Sequence, residues 1–471
     1  MKDTKRRMMT FTFYDRTGIE KDLERQAEKG WLLEKCSASG WIYRRIEPAK
    51  IHFSVVYFPA ADAFDPHPSE KQVRFQEFCE HTGWELIASN VQMQIYCNRR
   101  EHPIPIETDP VIEVENIHKS VKKTMFPAYF SNLVLAFVQI GLAAQRFSWD
   151  PMTELLSLPA MLATLFWCLD VVFWTVLLGM YFHWHMRAKK AAMDGQFLET
   201  KSTDGFQFLM LGTTFLALFC MYLSFGSWST LLVGVLMLVG ILGLTAVMVW
   251  MSNRMKKHNV SAKTNKFITY AFAVVMSFVL CGGVIWLVVS TRSAELDNTD
   301  HAESYEYNGW TYYVYDDPIP LRIEDLIETD YDGYSYEIIS DGSSPLLSRY
   351  EARQRTRYEA RQRTRYDALA EPELEYRIVR VKVPFLYDWV LNLMLEDFDH
   401  NHAFPDDDPN WKEDRQIDPA PWGAENAYQL YLGGEAHERY LLCYEDTIIE
   451  IDLDWFPTEE QMEIVRAKLI P

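Results

Sequence analysis

The run DFDHNHAFPDDD, Asp397 to Asp408, comes nearest in residue type to a metal site. Asp397, Asp399, Asn401 and Asp408 fall at positions one, three, five and twelve of a calcium-binding loop, where hard oxygen ligands surround the ion. His402 stands where such a loop has its turn glycine, and Asp408 where it has a bidentate glutamate. The following PNWKEDRQIDPAPWG offers no second helix, so a polar connecting loop is the competing reading. His400 and His402 beside these aspartates would suit zinc instead.

A lone carboxylate in an apolar run is the second candidate. Asp170 lies in the middle of LATLFWCLDVVFWTVLL, where an ionised acid is costly unless protonated, paired or wet. Asn132 and Gln139, in the preceding apolar run, are its candidate hydrogen-bond partners. A proton or cation site would use Asp170 this way. Helix–helix bonding would too, and a single acid makes no pathway. His183 and His185 flank Trp184 at a spacing that points them to different helix faces, so they read as interface residues rather than metal ligands.

RYEARQRT occurs twice in tandem, Arg349 to Thr356 and Arg357 to Thr364. It would bind an anionic polymer such as teichoic acid or phospholipid headgroups, or it is a helix extension or solvated loop balancing nearby acids. Trp31 and Trp84 would form an aromatic cage, or they fill equivalent core positions of a repeat. Glu435, Asp446 and Asp452 are the acids an enzyme in the C-terminal region would use, but acids at alternating strand positions ordinarily form a solvated face. The seven cysteines form no CxxC pair, and no Ser-His-Asp order stands out, so neither catalytic residues nor a cofactor are expected.

These groups are positioned by three regions. Apolar runs such as LLVGVLMLVGILGLTAVMVW (Leu231 to Trp250) are long enough to cross a bilayer as helices. About five spans are expected, near 126–144, 159–182, 206–225, 229–251 and 267–290. Lys119, Lys122 and Lys123 precede the first. Arg187, Lys189, Lys190 and Lys201 follow the second, and Arg254, Lys256, Lys257, Lys263 and Lys266 follow the fourth. The connections QRFSWDPMTELLS and FGSWS carry one basic residue between them. This bias puts the N-terminus in the cytoplasm, and an odd span count then puts the C-terminal domain outside. Ala273, Ser277 and Cys281, and Gly234, Gly240 and Gly243, are small residues suited to close helix packing. The start, MKDTKRRMM, runs into a polar domain and reads as no signal peptide.

The net charge of −20 is unevenly spread: 41 acidic and 17 basic residues follow Ser290, out of 66 and 46 in the chain. An acidic C-terminal domain repels nucleic acid and anionic lipid. With Cys443 as its lone cysteine, that domain must fold by packing alone. Its strands are expected in YEYNGWTYYVYDD, YSYEIIS, AYQLYLGG and RYLLCYEDTIIEIDLDW. A helix is expected over Leu386 to Glu396, and a second behind the capping-box sequence Thr458 to Gln461.

Before the spans lies a repeat. Gly30-Trp31 matches Gly83-Trp84, Leu33 matches Leu86, and Ile42-Tyr43 matches Ile95-Tyr96, at an offset of about 53 residues. Each unit reads helix, Gly-Trp, strand, turn, strand, with IHFSVVYF (Ile51 to Phe58) as a strand between units and the helices on one face of an antiparallel sheet.

The opening FTFYDRTGIEKDLERQAEKGW, the later GWELI and IYCNRR, and PIPIETDP before the first span resemble the bacterial Domain of Unknown Function 2812 family over about the first quarter of the chain. The run YQLYLGGEAHERYLLCYEDTIIEID also looks like tails on such proteins. The resemblance implies a Gram-positive cell-membrane protein, often encoded beside PadR-type transcriptional regulators. It implies no catalytic residues.

The chain is thus expected to be a multi-domain membrane protein. It would have a cytoplasmic α+β domain with a duplicated α-β-β module (1–123), a transmembrane helical region (124–291) and an acidic extracytoplasmic α+β domain (292–471). The expected function is non-enzymatic signalling or regulation, with the lipid bilayer, a cytoplasmic protein and an envelope component as partners and no nucleic acid. The rivals are an accessory subunit of a transporter or envelope complex, and an extracytoplasmic enzyme.

Overall fold

The protein is described by a computed structural model covering residues 3–8, 11–37, 40–200, 204–224, 228–297, 302–307, 310–356, 371–399 and 412–470. It divides into two units. One comprises Met1–Ala143 with Leu162–Thr291, and the other Ala144–Met161 with Arg292–Pro471.

The first unit opens with β1 (Thr4–Arg7), α1 (Arg16–Glu28), β2 (Trp31–Lys35) and β3 (Trp41–Arg45), followed by β4 (His52–Tyr57), α2 (Glu70–His81), β5 (Glu85–Asn90) and β6 (Met93–Asn98). The repeat is therefore β-α-β-β, one strand longer than the α-β-β unit its sequence suggests. It forms two three-stranded antiparallel sheets, β1-β3-β2 and β4-β6-β5, rather than one. β1 escapes notice because TKRR has no apolar alternation, and β4 is the opening strand of the second copy rather than a link. The copies agree in detail. Both carry a register shift at the same place, Leu33/Lys35 and Leu86/Ala88, and Tyr43 and Tyr96 are both fully buried. Gly30 and Gly83 end the two helices at φ +82° and +89°, a region a side chain rarely adopts. Asp15 caps α1 by accepting from Gly18 N, and Ser69 caps α2 by accepting from Gln72 N.

Five long helices follow: α3 (Pro110–Trp149), then beyond the short α4 (Pro151–Leu156), α5 (Leu158–Met193), α6 (Asp204–Ser224), α7 (Trp228–Lys257) and α8 (Ala262–Asp297). Four stretches among the described residues are long and apolar enough to cross a membrane: Pro110–Trp149, Leu158–Met193, Gly234–Lys257 and Ala262–Leu287. Gly205–Ala217 is a shorter apolar one. Four of the expected spans fall inside α3, α5, α7 and α8, and the third, 206–225, overlaps α6 up to Ser224, with residue 225 outside the described residues; α3 begins 16 residues earlier than its apolar run because its first turns are amphipathic. Of the three glycines expected to allow close packing in α7, Gly240 does so: a Cβ there would lie 2.5 Å from Leu280 Cδ1 of α8. A Cβ at Gly234 or Gly243 would meet nothing within 4 Å. Asn265 is wholly buried at the α7–α8 turn and donates to Ser252 O at 3.2 Å.

The repeat domain is built onto these helices. Val114, Ile117, Val121 and Met125 of α3 and Tyr181, Trp184, Ala188 and Ala192 of α5 share one core with Tyr14, Ile19, Leu23, Leu33 and Tyr43. The connection after α5 joins it through Thr17 Oγ1 and Thr200 Oγ1, 2.6 Å apart. The α7–α8 turn does so through His67 Nε2 and Asn259 Oδ1 at 2.7 Å, and α8 through the Phe64–Tyr270 ring pair.

In the second unit, β7 (Ala302–Tyr307) and β8 (Trp310–Tyr315) form a hairpin. A seven-stranded antiparallel sheet has the order β12-β13-β14-β15-β11-β10-β9. Its strands are β9 (Ser335–Ser343), β10 (Leu347–Arg355), β11 (Leu374–Val381), β12 (Lys412–Ile417), β13 (Asn426–Leu432), β14 (Glu435–Cys443) and β15 (Thr447–Leu453). The central β15 reads Thr-Ile-Ile-Glu-Ile-Asp-Leu, and its alternation sends Ile449, Ile451 and Leu453 to one face and Ile448, Glu450 and Asp452 to the other. The first face is covered by Ile319, Leu321 and Ile323 and by Val465 and Leu469 of α10 (Glu459–Leu469), whose capping box between Thr458 and Gln461 is present. The second face is covered by Val390, Met394 and Phe398 of α9 (Tyr387–Asp399) and by Met152, Leu155 and Leu156 of α4. Phe147, at the end of α3, stacks on Trp389.

Candidate functional site

The strongest candidate site grows around Arg16, the first residue of α1. Its Nη1 donates to Glu113 Oε2 of α3 at 2.6 Å, and its Nε lies 3.9 Å from Glu20 Oε1 one turn on. Phe197 faces the guanidinium, its ring centroid 5.9 Å away. Glu20 Oε1 also accepts from Val55 N at 2.8 Å, which satisfies an edge-strand N–H of β4 that no neighbouring strand reaches. A third acid, Glu107, precedes α3. Its Oε2 is buried without a hydrogen-bond partner, while Asn116 bonds the carboxylate group elsewhere.

Three acids around one arginine cannot all ionise cheaply away from water. Burial pushes Glu20 up to about 7 against the opposing pull of Arg16. Burial also pushes Glu107 up to about 7, and the Glu113 charge adds to it. The cluster therefore gains or loses a proton near neutrality.

Glu107 opens into a cavity of about 330 Å³ between the end of β4, α2 and the start of α3. Its walls include Tyr57, Phe58, Phe75, Ile106 and Ile112. Asp109 caps α3 at its rim, accepting from Val111 N at 2.8 Å and Ile112 N at 3.4 Å, so those helix N-terminal donors are already used. The chemistry on offer is recognition of positive charge beside an apolar surface.

Residues 15–129 match a family described as Protein of unknown function (DUF2812). This stretch is a DUF2812 domain. No curated protein and no solved structure matches the chain. The family match includes Arg16, Glu20, Glu107 and Glu113 and runs on into α3, so the α3 turns of the domain core belong to it, whereas those of α5 lie beyond it.

Trp31 and Trp84, the equivalent tryptophans of the DUF2812 repeat, lie in different surroundings. Trp84 is buried and donates from Nε1 to Ile104 O at 2.8 Å. Trp31 is half-buried beneath two cations, Lys5 at 5.5 Å and Arg45 at 5.4 Å from a ring centroid. Asp170 is half-buried and accepts from Trp174 Nε1 at 3.0 Å, one turn along its own helix, rather than from Asn132 or Gln139. Asn132 donates to Ala128 O of its own helix at 2.8 Å, and Gln139 is half-buried on α3. His183 and His185 do part company: the ring of His185 stacks on His118 of α3 at 4.3 Å, and His118 Nδ1 lies 2.7 Å from Tyr181 Oη.

In the second unit, Arg377 gathers the acids. It lies 3.5 Å from Glu351, 2.9 Å from Asp397 and 3.3 Å from Glu450, and Glu450 also takes Arg439 Nε at 2.8 Å. The register makes this inevitable, since Arg377 pairs with Glu351 on one side and Glu450 on the other. Asp397, the first residue of the calcium-loop candidate, is thus ion-paired at the end of α9. Asp399 is the last residue of that helix, and Asn401 and Asp408 lie outside the described residues. Among the described residues no group of three His, Cys, Asp or Glu could hold a metal ion. Asp452, beside this network, is pushed up to about 6 by burial. The cavity it lines with Glu351, Glu375 and Glu450 is about 140 Å³, small for a substrate. Asp446 pairs with Arg380 at 3.3 Å, and Glu435 is exposed.

The first RYEARQRT copy is neither helix nor loop. It is most of β10, with Arg353 held by Glu337 at 2.6 Å and Arg355 by Glu375 at 2.8 Å. The second copy lies outside the described residues. Sequence reasoning missed the Arg16 cluster because its members lie up to 97 residues apart and have no common spacing; only the presence of Arg16 and Glu20 in FTFYDRTGIEKDLERQAEKGW and of Glu107 in PIPIETDP marked its neighbourhood.

Proposed function

We propose that this protein is a non-enzymatic signalling or regulatory protein of a Gram-positive cell membrane, with five spans, the DUF2812 domain in the cytoplasm and the acidic domain outside. The observation that carries the reading is which connections each domain is built on. The DUF2812 core takes in the start of α3 and the end of α5, and hydrogen bonds tie the domain to Thr200 after α5 and to Asn259 at the α7–α8 turn. These are the lysine- and arginine-bearing connections that the positive-inside rule assigns to the cytoplasm.

The acidic domain is built on Phe147, Met152, Leu155 and Leu156, in the connection after the first span. A domain after the last span shares a side with that connection only if an even number of crossings separates them. Of the candidates, α5, α7 and α8 make three, so α6 is needed as the fourth. This favours five spans over four.

A domain that shares its core with helix ends feels any shift of those helices, because packed interfaces deform little. The cytoplasmic module would dock a protein partner and the outer domain an envelope component. Protease added to cells stripped of wall should trim the outer domain and leave the DUF2812 domain intact; the reverse pattern, or cleavage of both, overturns the topology. A photo-crosslinker at Phe78, exposed on α2, should capture a cytoplasmic regulator. A permease recovered in equal amount would mean an accessory subunit instead.

A further inference from the structure

We propose that the cavity at Glu107 of the DUF2812 domain binds a small protonated amine carried on an aromatic or apolar body, the ammonium donating to the Glu107 carboxylate. Several observations point to it independently of which side of the membrane the domain occupies. Oε2 is a buried acceptor with no hydrogen-bond partner, and a buried oxygen left unmatched is costly. The cavity, about 330 Å³, is at the lower end of the size that small-molecule pockets have. Its charged lining residues are Glu107 and Asp109; no lysine or arginine lines it.

The nearby cations are already engaged, Arg16 by Glu113 and Lys123 by the Ala61 carbonyl at 3.0 Å and Asp62 at 3.7 Å. An anion is disfavoured because Asp109 already fills the start of α3. A bare metal ion is disfavoured because no three-ligand group is present among the described residues and much of the wall is apolar. Tyr57, Phe58 and Phe75 supply ring faces and edges of the kind that accept an organic cation with its apolar body.

Binding also moves a proton. Around Glu107 stand Arg16, Glu20, Glu113 and Asp109, with the Tyr57 hydroxyl and Cys79 thiol, both kept neutral by burial. An ammonium seated on Glu107 favours its carboxylate form, so a protonated Glu107 releases its proton to solvent as the amine binds.

The test uses the full chain in detergent, with phenethylamine as the probe and 2-phenylethanol as its uncharged counterpart, followed by calorimetry. The amine should bind about ten-fold or more tightly than the alcohol, as a charge-assisted hydrogen bond requires. Its affinity should rise between pH 6 and pH 8, with net proton release that is largest at the acid end. Glu107→Gln should abolish the preference for amine over alcohol. Ile112→Trp, at an exposed position on the rim, should block both probes without unfolding the protein, and it serves if Glu107→Gln does not fold. Equal affinity for the two probes, no saturable binding of the amine at millimolar concentration, or undiminished amine binding in Ile112→Trp would each overturn the proposal.

Discussion

Arg16 of α1 and Glu113 of α3, 97 residues apart in sequence, form an ion pair at 2.6 Å with the two side chains 17% and 6% exposed. It ties the first helix of the DUF2812 domain to the first turn of α3, a helix long and apolar enough to cross a membrane. Removing one partner from a pair this buried leaves the other charge unmatched and costs about 3–5 kcal/mol. Arg16→Ala should therefore lower the melting temperature of the detergent-solubilised protein sharply. The double variant Arg16→Ala with Glu113→Gln should recover part of the loss, and an equal or larger drop in the double variant would show that the pair is not coupled in this way.

The same cluster gives the DUF2812 domain a stability that falls as pH rises. Glu20 and Glu107 sit at about 7, above the ordinary glutamate value reached on unfolding. A group raised in this direction stabilises the fold fully below its unfolded pKa, and that contribution is lost as pH climbs through about 7. Across pH 5 to 7 each such group weakens folding by roughly 1.4 kcal/mol per pH unit. Thermal denaturation should show a falling melting temperature from pH 5 to pH 8, and Glu107→Gln should flatten the slope. A melting temperature that climbs over this interval would contradict the assignment.

In the second unit, Arg377 is matched to Glu351, Asp397 and Glu450 at once. Arg377→Met should destabilise that unit by about 3–5 kcal/mol, because Glu450 is nearly fully buried and keeps only Arg439. Arg377→Lys should rescue this only partly, since an ammonium cannot fork between two strands and a helix. Pulse proteolysis along a urea series, scored by loss of this unit, reads the effect; a lysine variant as stable as the parent would overturn the expectation.

Because Asp397 is spoken for by Arg377, calcium at millimolar concentration should leave the melting temperature of this unit unchanged. A rise of several degrees, reversed by chelation, would mean that the acids after α9 recruit the ion despite the pairing.

Asp170→Asn should keep expression, localisation and melting temperature close to those of the parent, within about 1 kcal/mol, because an amide oxygen still accepts from Trp174 Nε1. Loss of folded protein would make the carboxylate itself structural.

The amino-acid sequence by itself determined the apolar runs and thus the long helices, the alternation that makes strands of AYQLYLGG and RYLLCYEDTIIEIDLDW, the cap at Thr458 and the duplication at Gly30-Trp31 and Gly83-Trp84. Those are local signals: a period, a cap or a copied motif is legible within one segment. The tertiary structure alone decided that TKRR is a strand, that the repeat makes two sheets, that RYEARQRT pairs its arginines across β10, and that Arg16, Glu20, Glu107 and Glu113 meet. A charged segment carries no apolar period to announce itself, and a meeting of distant side chains depends on sheet register and helix docking, which one segment cannot encode.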